Sequence, residues 1–168
     1  MVQAALQTDQ PGVQGRIPAP DITFPSDGRT GKEVVSYFRE RGYALTAHAE
    51  HILWATGYTA ARGVLYRPLF IHGWEIPEGG HSEGQIRSLA ARRGYLTPPP
   101  DLAPRYFEEV PASLLRQFCP GMLVVMHHPI RDVHMESSLL IINGEGELDG
   151  EAVRSRRLWN KLASYLFL

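Results

Sequence analysis

The sequence has one cysteine, almost no net charge and no long hydrophobic run. With Cys119 alone, an intrachain disulfide and a zinc or iron–sulfur site built only from cysteines are excluded. The 17 basic and 18 acidic side chains give a formal net charge of −1, which argues against a protein that mainly coats nucleic acid or an anionic membrane. The longest apolar runs, 122–126 and 139–142, are far shorter than the roughly 20 residues that a membrane-spanning helix needs.

Familiar catalytic and targeting patterns are also missing. The glycine and lysine spacing of a phosphate-binding loop does not occur, and neither does the Gly-x-Ser-x-Gly pattern of a serine nucleophile. The residues after Met1 lack the basic and apolar regions of a secretory signal. We therefore expect an intracellular soluble protein, or a component of a virus-like particle, without signal peptide, transmembrane segment or cofactor.

Helix signals are spread along the chain. The capping box from Thr30 to Glu33 predicts a helix that ends at Gly42, and a second capping box begins at Ser82. Further helices are predicted over about 46–56 and from Pro111 to Phe118. The apolar spacing in the last 20 residues predicts an amphipathic helix over about 150–167, capped by Asp149.

Strand signals lie between these helices. The segment 64–76 is rich in β-formers, but Pro68 restricts it to an edge strand or two short strands. The runs 122–127 and 139–142 are typical of strands buried on both faces, and Asn143-Gly144 predicts a hairpin turn after the second. The order predicts a single α+β domain with a small mixed or antiparallel sheet, three to five helices and an extended N-terminal arm.

Residues 1–28 have a different character from residues 29–168, which we assign to the α+β domain. Four prolines and several glycines interrupt any periodic pattern there, as in an extended arm. The apolar residues of the arm and of the C-terminus are predicted to dock on a partner protein, and they are Val13, Ile17, Ile22, Phe24, Tyr165, Leu166, Phe167 and Leu168.

Seven histidines raise the possibility of a metal site. His127, His128, His134 and Glu136 lie within ten positions, and imidazole with carboxylate suits zinc, iron or manganese. His127 and His128 would point to opposite faces of a strand, so only one of them could join a given site. His48 and His51, three apart on the second predicted helix, could share a face.

The segment from His134 to Gly150, with His127 and His128 upstream, resembles the first sequence motif of cupins. That resemblance implies metal binding by the histidines and the glutamate. The two upstream histidines are adjacent rather than alternating, and a predicted helix stands where the second cupin motif would follow. An Ile-Ile-Asn-Gly hairpin explains the same residues equally well, and we predict a hairpin here.

Three functional hypotheses follow from the sequence. The extended arm and apolar C-terminus favour a non-enzymatic structural or assembly subunit of a multisubunit particle, such as a viral connector, tail or decoration subunit. Its partners would be proteins, in a homo- or hetero-oligomer. The alternatives are a metal-dependent enzyme that uses His127 or His128, His134 and Glu136, and a small regulatory or immunity-type binding protein. Cys119, between Phe118 and Pro120, is predicted to be a buried structural residue.

Overall fold

A computed structural model describes residues 19–77, 82–153 and 161–168. Within these ranges the chain forms five α-helices, one 3-10 turn and eight strands in two sheets, which confirms the α+β class. The elements are β1 Phe24–Asp27, α1 Gly31–Arg41, α2 Ala47–Trp54, β2 Arg62–Tyr66, β3 Leu69–His72, the turn Gly73–Glu75, α3 Glu83–Arg92, α4 Leu102–Glu109, α5 Ala112–Phe118, β4 Leu123–Val125, β5 Ile130–Arg131, β6 Ser137–Ile142, β7 Leu148–Ala152 and β8 Ser164–Phe167.

The larger sheet is mixed, which is one of the two alternatives that the sequence predicts. Its strands lie in the order β3-β8-β4-β6-β5, and β7 pairs with the other side of β6. Strand β8 runs parallel to β4, whereas the other pairs are antiparallel. The smaller sheet is the antiparallel pair of β1 and β2.

Both faces of the larger sheet are buried. In β4, Leu123 and Val125 contribute to one hydrophobic cluster, whereas Val124 contributes to the other. The first cluster also contains apolar residues of α1, α2, α4 and α5, and the second contains Ile86 and Ala90 of α3. The sequences of the central strands are therefore continuous apolar runs, because alternate side chains face two separate cores.

Local capping signals correctly predict two helix starts, those of α1 and α3, and the structure shows a further cap at α2. Thr30 caps α1 and Ser82 caps α3, each with a reciprocal capping box, and Thr46 accepts the Ala49 N–H at the start of α2. Helix α4 is not predicted by the sequence, because it follows a proline run and holds Pro104 in its first turn. Proline is tolerated there because the first-turn N–H groups have no helical partner.

The predicted C-terminal helix over 150–167 is wrong. Residues 148–152 form β7 and residues 164–167 form β8, while 154–160 lie outside the described residues. Asp149 does not cap a helix, since its carboxylate accepts hydrogen bonds from the Thr46 hydroxyl and the Gly150 N–H. A short apolar run fits a helical and a strand period equally well, and pairing with β3 and β4 decides the outcome here.

The segment 64–76 forms two short strands, interrupted at Arg67 and Pro68, as predicted. The first of them, β2, pairs with β1, so the end of the predicted arm forms part of the smaller sheet. Residues 1–18 of the arm lie outside the described part of the chain.

No helix in the described ranges is long and apolar enough to cross a membrane.

Candidate functional site

An apolar groove lies where α4, α5 and the β6–β7 hairpin meet. Its volume is about 320 Å³. Its lining residues are Tyr43, Phe107, Glu108, Glu109, Val110, Pro111, Ala112, Leu115, Ile142 and Gly146. Most of them are apolar or aromatic, which is the composition of pockets that receive apolar groups of a ligand or partner.

Two turns shape the lips of the groove. Pro111 separates α4 from α5, and its missing N–H and fixed φ suit the position before a helix. In the β6–β7 turn, the Asn143 side chain accepts the N–H groups of Glu145 and Glu147, at 3.0 Å each. Gly146 has a φ of 86°, and a Cβ there would lie 3.3 Å from the Ala112 Cβ. Glycine at this position therefore allows the two lips to approach closely, because a side chain would crowd Ala112.

The floor of the groove is formed by packed core side chains. Val110, Leu115 and Ile142 are buried members of the first hydrophobic cluster. Tyr43 and Phe107 pack edge to face with ring centroids 5.7 Å apart, and Phe107 also contacts Phe38 at 5.2 Å. A ligand would therefore meet a surface that the fold has already ordered.

The two carboxylates beside the groove are held in an ion-pair network. Glu108 contacts Arg29 at 2.5 Å and Arg105 at 2.6 Å, and Glu109 contacts Arg105 at 2.5 Å. Arg29 also contacts Asp27 at 2.5 Å. Burial alone would raise the pKa of Asp27, but hydrogen bonds from Arg29 outweigh it and the pKa is lowered. Each of these carboxylates is paired with an arginine, which suits a structural role better than proton transfer.

The predicted metal ligand His127 has no free ring nitrogen. It is fully buried, its Nε2 accepts the Leu140 N–H at 2.9 Å, and its Nδ1 donates to the His128 carbonyl at 2.6 Å. Burial lowers the pKa of His127 to about 4, so the ring is neutral at pH 7. Both ring nitrogens of His127 therefore form hydrogen bonds within the chain, so neither is available to a metal.

The other predicted ligands lie on the surface. His128 is exposed, and His134 and Glu136 are exposed in the β5–β6 turn. The ring of His134 lies beside His51 of α2, with centroids 5.2 Å apart, a proximity that the sequence did not predict. Among the residues that the structure describes, no three His, Cys, Asp or Glu side chains are grouped so as to hold a metal ion.

Cys119 is a buried free thiol at the end of α5. Burial raises the pKa of this thiol, which disfavours the reactive thiolate. The structure thus agrees with the structural role predicted for it.

The predicted partner-binding residues that can be located are packed within the chain itself. Phe24 and the segment 165–167 are buried, while Ile22 and Leu168 are half-buried against the first cluster. The chain's own core thus accounts for their apolar character. Val13 and Ile17 lie outside the described residues, and a partner contact there stays a prediction.

Sequence reasoning did not identify the groove. Its residues come from segments around positions 43, 107–115 and 142–146, which have no shared local pattern. The signals that could have pointed to it are Pro111 and the Asn143-Gly144 turn, which mark both lips.

Comparisons with known proteins provide no relative. No protein-family model, no curated protein and no solved structure matches the chain.

Proposed function

We propose that this chain is a non-enzymatic, protein-binding subunit of a larger assembly, and that the groove receives an apolar side chain of a different partner protein. The observation that carries the proposal is the groove itself, an accessible depression lined mainly by apolar side chains.

Its chemistry supports binding of an apolar anchor. Tyr43, Phe107 and Leu115 provide aromatic and aliphatic contact area. Full burial of one leucine or phenylalanine side chain contributes roughly 1.5–3 kcal/mol. Anchors of this kind, seated in a preformed pocket, dominate the energetics of protein interfaces.

The polar groups around the groove support the same proposal. Glu108 and Glu109 already have arginine partners, so neither needs a substrate to satisfy its charge. An occupant would therefore be recognised by shape and apolar area, with a polar rim around it. A viral connector, tail or decoration subunit remains the concrete form of assembly that we predict.

Two substitutions on neighbouring residues of α5 test the proposal. Ala112 lines the groove at its lip, whereas Ser113 is exposed and does not line it. Ala112→Glu places a charge at the entrance and should prevent docking. Ser113→Glu adds the same charge outside the groove and serves as the matched control.

The measurement is native mass spectrometry of the full-length chain isolated from its native cells, with circular dichroism to verify folding. We expect the wild type and Ser113→Glu to carry a second polypeptide, and Ala112→Glu to have the mass of the 18.8 kDa chain alone. A wild-type chain that is monomeric, or that carries only a small apolar molecule, would contradict the proposal. Equal retention of the partner by both variants would contradict it as well.

A further inference from the structure

A pair of histidines joins α2 to the β5–β6 turn. The rings of His51 and His134 have centroids 5.2 Å apart and planes inclined at 72°. His134 is exposed and His51 is half-buried, so solvent reaches the pair. We propose that these two side chains bind a divalent late first-row transition ion such as Zn²⁺.

The spacing of the two rings suits a shared ion. Two imidazoles bound to one tetrahedral Zn²⁺, with Zn–N distances of about 2.0–2.1 Å, place their ring centroids about 5 Å apart. The observed separation of 5.2 Å matches this arrangement. The χ2 torsion of histidine is broad, so each ring can turn about its Cβ–Cγ bond while the separation of the two centroids stays nearly unchanged.

The turn that carries His134 is held in place by Asp132. One oxygen of this buried carboxylate accepts the N–H of His134 at 2.8 Å and that of Glu136 at 3.1 Å. Met135 adopts a φ of 62° within the turn. The backbone of His134 is therefore fixed before any ion binds.

Helix α2, which carries His51, is tied to the same turn through His48. The Nε2 of His48 lies 3.4 Å from the other Asp132 oxygen and 3.2 Å from the Ser138 hydroxyl. The ring of His48 packs on Gly150, where a Cβ would lie 2.7 Å from it. Both halves of the site are thus positioned by contacts that do not use the ring nitrogens of His51 or His134. Because the two segments are already in place, less conformational entropy is lost when an ion binds.

The donor set defines the class of ligand. Neutral imidazole is a good ligand for zinc, copper and nickel and a poor one for magnesium or calcium. Since no third protein ligand is grouped with the pair in the described part of the chain, water would complete the coordination sphere. We therefore expect an exchangeable site with a Kd below about 1 mM rather than a tightly bound structural ion. The site differs from the ligand set predicted from sequence, because it pairs His134 with His51 and uses none of His127, His128 and Glu136.

Calorimetric titration of the full-length protein with ZnCl₂ tests the site. We expect one ion per chain for the wild type, and a loss of affinity of about tenfold or more in His51→Ala and in His134→Ala. His128→Ala, which removes an exposed histidine outside the pair, should bind like the wild type. In ¹H–¹⁵N spectra, Zn²⁺ should shift the ring signals of His51 and His134 and leave those of His128 in place.

Three outcomes would overturn the proposal. The first is the absence of saturable binding below about 1 mM Zn²⁺, a Kd that corresponds to a binding free energy of only about 4 kcal/mol. The second is an unchanged affinity for Zn²⁺ in both His51→Ala and His134→Ala. The third is a loss of affinity in His128→Ala that equals the loss in those two variants. Circular dichroism of each variant separates a lost ligand from a lost fold.

Discussion

At the scale of single residues, the adjacent histidines 127 and 128 show how position determines role. His127 is fully buried, and its Nε2 accepts a sheet N–H from Leu140. His128, one position later, is exposed. A sequence pattern can identify two potential metal ligands here. It cannot show that the backbone N–H of Leu140, 13 residues later in the chain, donates a hydrogen bond to a ring nitrogen of His127.

The buried imidazole predicts a pH dependence of stability. The pKa of His127 is about 4 in the folded chain and about 6.5 when solvated, so the unfolded chain binds the proton first as the pH falls. The stabilising effect of the neutral ring is therefore complete above about pH 6.5 and is lost between pH 6.5 and 4. Between pH 7 and pH 5 the loss amounts to about 2 kcal/mol of unfolding free energy.

Urea denaturation at pH 7 and pH 5 measures this contribution. His127→Gln should lose less stability between the two pH values than the wild type does, whatever its stability at pH 7. His128→Gln should keep the wild-type dependence, because His128 is exposed. A His127 ring that titrates near pH 6.5 in NMR spectra of the folded protein would contradict this explanation.

At the scale of elements, helices α1 and α2 approach each other closely at Gly31. A Cβ at this position would lie 1.7 Å from the carbonyl oxygen of Leu53, so only glycine allows the contact. Gly84, in the first turn of α3, has no atom within 4 Å of an added Cβ and offers a matched control.

We predict that Gly31→Ala reduces the unfolding free energy by about 2–4 kcal/mol, because two backbones must separate. Gly84→Ala should leave it unchanged or raise it by up to about 1 kcal/mol, since alanine is the better helix former. Chemical denaturation of both variants provides the comparison. Equal effects of the two substitutions would show that the contact between α1 and α2 is not tight in solution.

Elements whose signals are local were predictable from the sequence. The hydroxyl caps Thr30 and Ser82 act on N–H groups three residues away, and both predicted helices are confirmed. The C-terminal strand β8 was not predictable in this way. Its residues Tyr165, Leu166 and Phe167 become a strand because β3 and β4, about 95 and 41 residues earlier in the chain, pair with both of its edges.

At the scale of the whole molecule, the sheet separates two hydrophobic cores. Leu166 faces the larger core, while Tyr165 and Phe167 face the smaller one, which lies under α3. Apolar runs such as 122–127 indicated strands buried on both faces, and this prediction is confirmed. The α+β class could thus be predicted from the sequence, but the choice between a mixed and an antiparallel sheet, and the strand order, depend on contacts between distant segments.

The groove likewise exists only in the folded molecule. Tyr43, Phe107 and Ile142 meet because α4 packs against β6 and the β6–β7 turn, and no local pattern links them. The surface that we propose for partner binding was therefore not among the residues predicted for that role. Assembly was predicted from the arm, whereas the proposed contact lies in the described domain.

Photo-crosslinking from the lip of the groove tests the central claim most directly. A photoreactive phenylalanine analogue placed at Ala112 of the full-length chain, in its native cells, should form a covalent adduct with a second polypeptide. The same group at Arg92, exposed on α3, should form far less of it. Absence of any adduct at position 112, or equal adducts at both positions, would contradict the proposal that the groove holds a partner protein.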